Sequence, residues 1–255
     1  MMRPTERFSG CADNYARYRP GYPQGALELL ERRCGLGPAA LVADVGSGTG
    51  ILTELLLSSG AHVIAVEPND AMRAAAEAQL ANHPRFRSVS GTAEATTLAS
   101  KSIDIWVAGQ AFHWFDGPAT RREALRVIKK GGWGALLWNE RPLDPGAFLG
   151  DYETLLRRHA PEYTEIKARR AQETSMREFF GGAMERATFP NEQRLDFAGL
   201  QGRLLSSSYA PQPGEPEYEP MMAGLREVFR RHERDGHIVF PYLTLVYFAQ
   251  LKPPA

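Results

Sequence analysis

Between residues 41 and 139 the chain alternates short apolar runs with segments whose apolar side chains recur every three or four positions. Leu41–Val45 (LVADV) precedes Ile51–Leu57 (ILTELLL), Ala61–Glu67 (AHVIAVE) precedes Ala71–Leu80, and Ile103–Ala108 (IDIWVA) precedes Thr120–Ile128. Phe86–Ser90 supplies a third strand and Trp133–Trp138 (WGALLW) a fifth, after a break at Gly131-Gly132. Runs that are apolar at successive positions belong to strands buried on both faces. Their alternation with helices therefore predicts a parallel sheet covered on both sides. Pro68-Asn69-Asp70 has the composition of a turn that caps the helix after it.

Outside this stretch the pattern changes. A helix is expected at Gly25–Arg33, after an aromatic and arginine-rich segment. Residues 141–237 are rich in proline, glycine and charge, with amphipathic helices expected at Tyr152–His159 and Met221–His232. In the second of these, Met221, Met222, Leu225, Val228, Phe229 and His232 share one face, the spacing of core packing. Ile238–Leu251 (IVFPYLTLVYFAQL) forms a long final strand in which Pro241 marks an irregular or edge position.

Composition narrows the possible partners. Lysine plus arginine and aspartate plus glutamate both number 30, giving zero net charge and none of the basic surplus of a nucleic-acid binder. The local basic group Arg157, Arg158, Lys167, Arg169 and Arg170 reads as a solvated helix face. The two cysteines, Cys11 and Cys34, form no CxxC pair and no metal-ligand set, which indicates a reducing compartment. The polar start MMRPTERFSGCADNY is no signal peptide, and no apolar run has the length of a membrane span. The expectation is a cytoplasmic protein that binds neither membrane nor nucleic acid, as a monomer or a homodimer.

The most informative stretch is VADVGSGTG, residues 42–50. Gly46, Gly48 and Gly50 stand where the first strand turns into the first helix, and in open α/β sheets ligands bind at this end. The spacing is GxGxG, whereas the dinucleotide fingerprint is GxGxxG, and Ile51 follows directly. Asp44, at the end of an otherwise apolar strand, would repel a pyrophosphate but suits a cationic amine. Glu67 ends the second strand, where a carboxylate can accept hydrogen bonds from both ribose hydroxyls. Together they specify a nucleoside that carries positive charge.

On these residues the chain resembles the class I S-adenosylmethionine-dependent methyltransferases, over roughly residues 35–140. The family's first motif matches Asp44–Gly50, including Ser47, and its ribose-binding acid matches Glu67. The resemblance implies S-adenosyl-L-methionine as cofactor, with Ala93-Glu94, within GTAE, flanking the adenine, Met72 near its other face, and Pro68 also among the cofactor-binding residues. It also implies a Rossmann-like, doubly wound α/β fold. The sheet would have seven strands, mostly parallel with one antiparallel, and would carry a helical lid and insertion. The chain is then a single domain over 1–255. Residues 1–40 form the lid and first helix, 41–140 the cofactor-binding core, 141–237 an acceptor-side insertion with a late strand, and 238–255 the final strand. FSGCADNYARYRPGYP, QAFHWFD and SSSYAP resemble the small-molecule subfamily that includes trans-aconitate methyltransferases. In that subfamily the N-terminal segment folds over the cofactor, which would bring Phe8, Tyr15, Tyr18 and Arg19 towards it. The alternative is that the two tyrosines pack on the domain and Arg19 lies at the surface.

AGQAFHWFDG, residues 108–117, follows the fourth strand on the same rim. Gln110 can contact the methionine end of the cofactor, and Phe112 and Trp114 can wall in the methyl group. His113 is either a general base or an orienting hydrogen-bond partner; no second ligand at a familiar spacing supports a metal. Asp116 caps the helix that follows. Tyr209 and Arg141 are further candidates on the acceptor side: Tyr209 reaches the acceptor or is structural, and Arg141 pairs with an acceptor carboxylate or is a surface residue. The function expected is methyl transfer to a small organic acceptor by in-line displacement. An RNA or protein methyltransferase and a non-catalytic cofactor-binding protein are the alternatives.

Overall fold

The computed structural model describes residues 15, 17–142, 146–165 and 173–252. Phe8, Cys11, Lys167, Arg169 and Arg170 lie outside them. The apolar runs form strands β1 (Leu41–Val45), β2 (His62–Val66), β3 (Phe86–Val89), β4 (Ile103–Gly109), β5 (Ile128–Glu140) and β7 (Ile238–Gln250). A further strand, β6 (Glu185–Leu195), completes one sheet of order β3-β2-β1-β4-β5-β7-β6. β7 runs antiparallel to both its neighbours, and the β1, β2, β3, β4 and β5 pairings are parallel. The parallel sheet expected from the alternation, and the Rossmann-like arrangement with one antiparallel strand implied by the resemblance, are therefore the ones observed.

Successive residues of each central strand serve opposite faces. Ala43, Val45, Trp106, Ala108, Leu136 and Trp138 belong to one core cluster, packed with α4 (Gly117–Val127) and α6 (Glu173–Phe180). Val42, Ile105, Val107, Ala135 and Leu137 belong to the other, packed with α1 (Gln24–Cys34) and α2 (Ile51–Ser58). Both faces are dry, which is why these strands read as continuous apolar runs. α3 (Asp70–Leu80) starts at Asn69, whose side chain accepts from the Met72 N–H at 3.0 Å; Asp116 caps α4 in the same way through Ala119.

A third cluster lies beyond the end of β5. It joins α5 (Gly146–His159), α7 (Phe197–Leu205) and α8 (Tyr218–His232) to the first residues of β7. Met221, Met222, Leu225 and Val228 of α8 are buried there, so the methionine stripe is core. β5 pairs with β7 as far as Glu140 opposite Leu243, while β6 stays paired with β7 down to Ile238. β7 is thus an interior strand. Pro241 lies past the end of β5, where its missing N–H deprives no neighbour on that side. Helix α4 starts at Gly117 and ends at Val127, and strand β5 already begins at Ile128. Gly131 and Gly132 lie within the bounds of that strand, but the expected break is there: the pairing with β4 jumps from Ile128 to Trp133, and Gly131 is left-handed at φ +80°.

Gly50 shows how tightly the start of α2 is seated. Its φ is +89°, and a Cβ there would lie 2.9 Å from Leu80 Cδ1 and 3.3 Å from Ala76 Cβ. Gly50→Ala combines backbone strain with overpacking and should destabilise the protein by about 2 kcal/mol or more. Urea unfolding should show a lower midpoint at an unchanged slope.

Candidate functional site

The parallel register brings the site together. β1 pairs with β2 through Val45 opposite Val66, so the glycine turn and Glu67 leave the sheet at the same level. β1 lies between β2 and β4, and the chain turns to opposite sides of it, leaving a crevice at the carboxyl ends. The N–H groups of Gly46 and Ser47 both donate to the Val66 carbonyl, at 2.8 and 3.2 Å. Gly46 has φ +69°, and a Cβ there would lie 2.7 Å from Ala111 Cβ and 3.0 Å from Phe115 Cζ. Glycine at this position is what lets the turn approach the loop after β4.

Two acids stand at this turn. Asp44 is fully buried. Its Oδ2 accepts from the Thr53 hydroxyl at 2.6 Å, and its Oδ1, also buried, has no hydrogen-bond partner among the described residues. Burial pushes its carboxyl up to about 7, with nearby Glu67 adding to the rise and the Thr53 bond opposing it. Glu67 is 8% exposed and accepts from the Gly48 N–H through Oε2 and the Asn69 N–H through Oε1, at 2.9 and 2.8 Å. Burial raises its carboxyl above the ordinary value despite those two bonds.

Two adjoining cavities open here. The larger, of about 190 Å³, is lined by Glu67, Pro68, Met72, Ala93, Glu94, Trp114 and Phe115 among others. At that size it holds a metabolite-sized group rather than a few waters. The smaller, of about 40 Å³, is lined by Asp44, Ser47, Arg19, Tyr22, Asn139 and Arg203 among others. Tyr15, Gly46, Gly48 and Gln110 line both. The Gln110 backbone is left-handed, at φ +58°, and its side-chain amide donates to the Asn139 carbonyl at 3.2 Å. The Glu94 carboxylate accepts from the Asp116 N–H at 2.9 Å, which ties the GTAE segment to the loop after β4.

Several expected residues lie elsewhere. Phe112 is packed into the core against Phe115, Trp138 and Phe179, and Phe115 takes the cavity wall instead. His113 lines neither cavity; its ring packs on Trp114 at 4.7 Å between centroids. Gly50 packs against α3 and lines neither cavity. The Tyr18 ring sits on Gly202 of α7, and its carbonyl accepts from Gln193, so it docks the N-terminal segment onto that helix. Arg19 is on the cavity wall, with its guanidinium over the Tyr15 ring and a 2.7 Å bond to the Ser206 carbonyl. It is therefore not a surface residue.

Arg141 is not a surface residue either. Its side chain is 19% exposed, pairs with Glu153 at 3.2 Å, donates to the Tyr163 hydroxyl and lies over the Tyr152 and Tyr163 rings. Burial opposes its charge, but Tyr209, Tyr163, Tyr152 and Glu153 together hold it more firmly protonated than usual. The Tyr209 ring packs on Tyr163, and neither Arg141 nor Tyr209 lines the two cavities. Tyr22, Asn139 and Arg203 are wall residues that the sequence did not point to. Of these, Asn139 had a usable signal, a polar residue at the carboxyl end of a central strand. Among the described residues no group of three His, Cys, Asp or Glu side chains can hold a metal ion, and no helix is long and apolar enough to cross a membrane.

Residues 43–136, from β1 into β5, match the methyltransferase domain family. An uncharacterized methyltransferase of Schizosaccharomyces pombe is 31% identical over 248 residues, covering 94% of this chain and 95% of its own. An uncharacterized methyltransferase of Mycobacterium tuberculosis is 38% identical over 136 residues. That match covers 52% of each protein, so the chain spans about half the length of this relative. Among solved structures, a protein of Anaeromyxobacter dehalogenans proposed to be a type II methyltransferase superposes with a TM-score of 0.67. It is 23% identical and covers 93% of this chain and 100% of its own, a likeness of fold. With a relative this similar along nearly its whole length, the chain belongs to the class I S-adenosylmethionine-dependent methyltransferase family.

Proposed function

We propose that the protein transfers the methyl group of S-adenosyl-L-methionine to a small organic acceptor, a carboxylate, hydroxyl or similar group, leaving S-adenosylhomocysteine. The observation that carries the reading is the buried, unpartnered Oδ1 of Asp44 beside the glycine turn. An isolated buried acceptor of this kind is costly unless a donor arrives with the ligand, and a cationic amine is the donor that fits best. Glu67 retains a lone pair on each oxygen after its two backbone bonds, which suits a ribose diol. Pro68, Met72, Ala93 and Glu94 would hold the adenine in the larger cavity.

The bound cofactor supplies a methyl group on a sulfonium, already activated by its positive charge. What remains for the chain is to align the acceptor and exclude water. Trp114, Phe115 and Gln110 are the residues for this, since they wall the larger cavity after β4. Support for a small acceptor comes from the cavity's size, from Tyr15 on its wall with the Arg19 guanidinium over its ring, and from the zero net charge. A carboxylate acceptor needs no base. His113 is then a positioning residue, which sets the Trp114 ring by packing on it.

A panel of carboxylate, phenol and amine metabolites, assayed for S-adenosylhomocysteine release, tests the reaction; turnover is expected with one of them. Turnover restricted to RNA or protein substrates, or none with any acceptor, overturns the reading.

Asp44 gives the cofactor site its pH dependence. Its carboxyl sits near 7 in the free protein and must ionise to bind an ammonium. Below 7, affinity for S-adenosylhomocysteine should therefore fall by up to about tenfold per pH unit, and it should level off above. Because the folded value is raised, Asp44's contribution to the free protein's stability is full below about 4 and is lost as pH rises through 7. Asp44→Asn should flatten both profiles in calorimetric titration and in urea unfolding between pH 5.5 and 7.5.

His113→Ala should lower turnover by roughly three- to tenfold through a misplaced Trp114, an effect of about 1 kcal/mol. The pH–rate profile should keep its shape, and His113→Phe, which preserves the ring contact, should restore most of the rate. Loss of a titrating limb at unchanged KM would make His113 a base instead.

A further inference from the structure

Arg203, on α7, is 7% exposed and lines the smaller cavity, the one that Asp44 also lines. Its Nε donates to the Tyr242 hydroxyl at 2.9 Å and its Nη1 to the Ser207 hydroxyl at 3.3 Å, and its guanidinium lies over the Phe240 and Tyr242 rings. Every one of these partners is neutral, and no carboxylate among the described residues pairs with it. Arg126 and Arg141, by contrast, have Glu123 and Glu153. A guanidinium has five N–H donors, and protein acceptors here take two. A buried charge left without a counter-charge is strongly unfavourable, and a ligand carboxylate would supply the missing partner.

The fork is also held rigidly. The Tyr242 hydroxyl donates onward to Gln193 at 2.9 Å, and Gln193 donates to the Tyr18 carbonyl. Such a pre-set planar donor pair matches a carboxylate. The same small cavity therefore presents an acid with an unused oxygen and a base with no acid, and the two do not pair with each other.

We infer that Arg203 is an anion-binding residue of this site, one that receives a carboxylate entering the smaller cavity. The inference rests on the methyl-transfer reading and adds to it the charge of what Arg203 grips. The carboxylate has two possible sources, the amino-acid end of the cofactor or an acid group of the acceptor.

The test is calorimetric titration of the full chain with S-adenosylhomocysteine and with 5′-deoxy-5′-methylthioadenosine, which lacks the amino-acid end, alongside KM values for acidic and neutral acceptors. Arg203→Gln should weaken one carboxylate-bearing ligand by about 10- to 100-fold, leave methylthioadenosine within twofold, and be partly rescued in Arg203→Lys. Loss on S-adenosylhomocysteine identifies the cofactor as the source; a raised KM confined to acidic acceptors identifies the acceptor. The role is overturned if both stay within twofold of wild type, or if methylthioadenosine weakens equally. Should circular dichroism show that the Arg203 variants do not fold, Tyr242→Phe carries the test: a several-fold loss for the same ligand supports the role, and unchanged binding overturns it. Wild-type protein that binds neither nucleoside refutes methyl transfer itself, which is a separate outcome.

Discussion

The hydrogen bond from the Thr53 hydroxyl to Asp44 joins the end of the central strand to the first turn of the helix after it. Everything at the site is arranged around that buried carboxylate. The bond fixes which oxygen faces away from the helix, the parallel register sets Glu67 at the same height, and the glycines let backbone approach where side chains would block it. A carboxylate in this position works against the apolar strand that carries it, as its raised affinity for protons records. The strand can tolerate it because its other residues are buried on both faces of a seven-stranded sheet.

The sheet core was legible because its strands have no wet face. β1, β2 and β4 stand out as apolar runs, and the glycine turn with its two acids could be read as a binding site for a cationic nucleoside before any geometry was known. β6 could not be read in the same way. ERATFPNEQRL is mostly polar because it forms the sheet edge, exposed along one side and rich in charge, the composition that keeps an edge from pairing with other chains. Pro241 was a fair mark of broken pairing, but the break concerns one side of an interior strand rather than a sheet edge.

Side-chain direction was the other limit. In AFHWF four ring-bearing residues stand in succession, and the sequence cannot tell which faces the cavity. The short turn over Phe112–Trp114 sends Phe112 into the core and leaves Trp114 and Phe115 on the wall. Arginines posed the same difficulty. Arg141 and Arg203 look alike in sequence, one largely and the other almost fully withdrawn from solvent. One has an acid partner within reach and the other has hydroxyls alone, a difference made by helices far apart along the chain.

β7 runs unbroken from the helical cluster beyond β5 into the middle of the sheet, paired with β6 from Ile238 to Phe248. Phe240 and Tyr242, near its start, stack at 4.9 Å within that cluster, while Val246 and Phe248 lie in the sheet's own core. Loosening either end therefore strains a ribbon that the other end depends on. The helices beyond β5 and the sheet are thus expected to unfold as one cooperative unit rather than as separable layers.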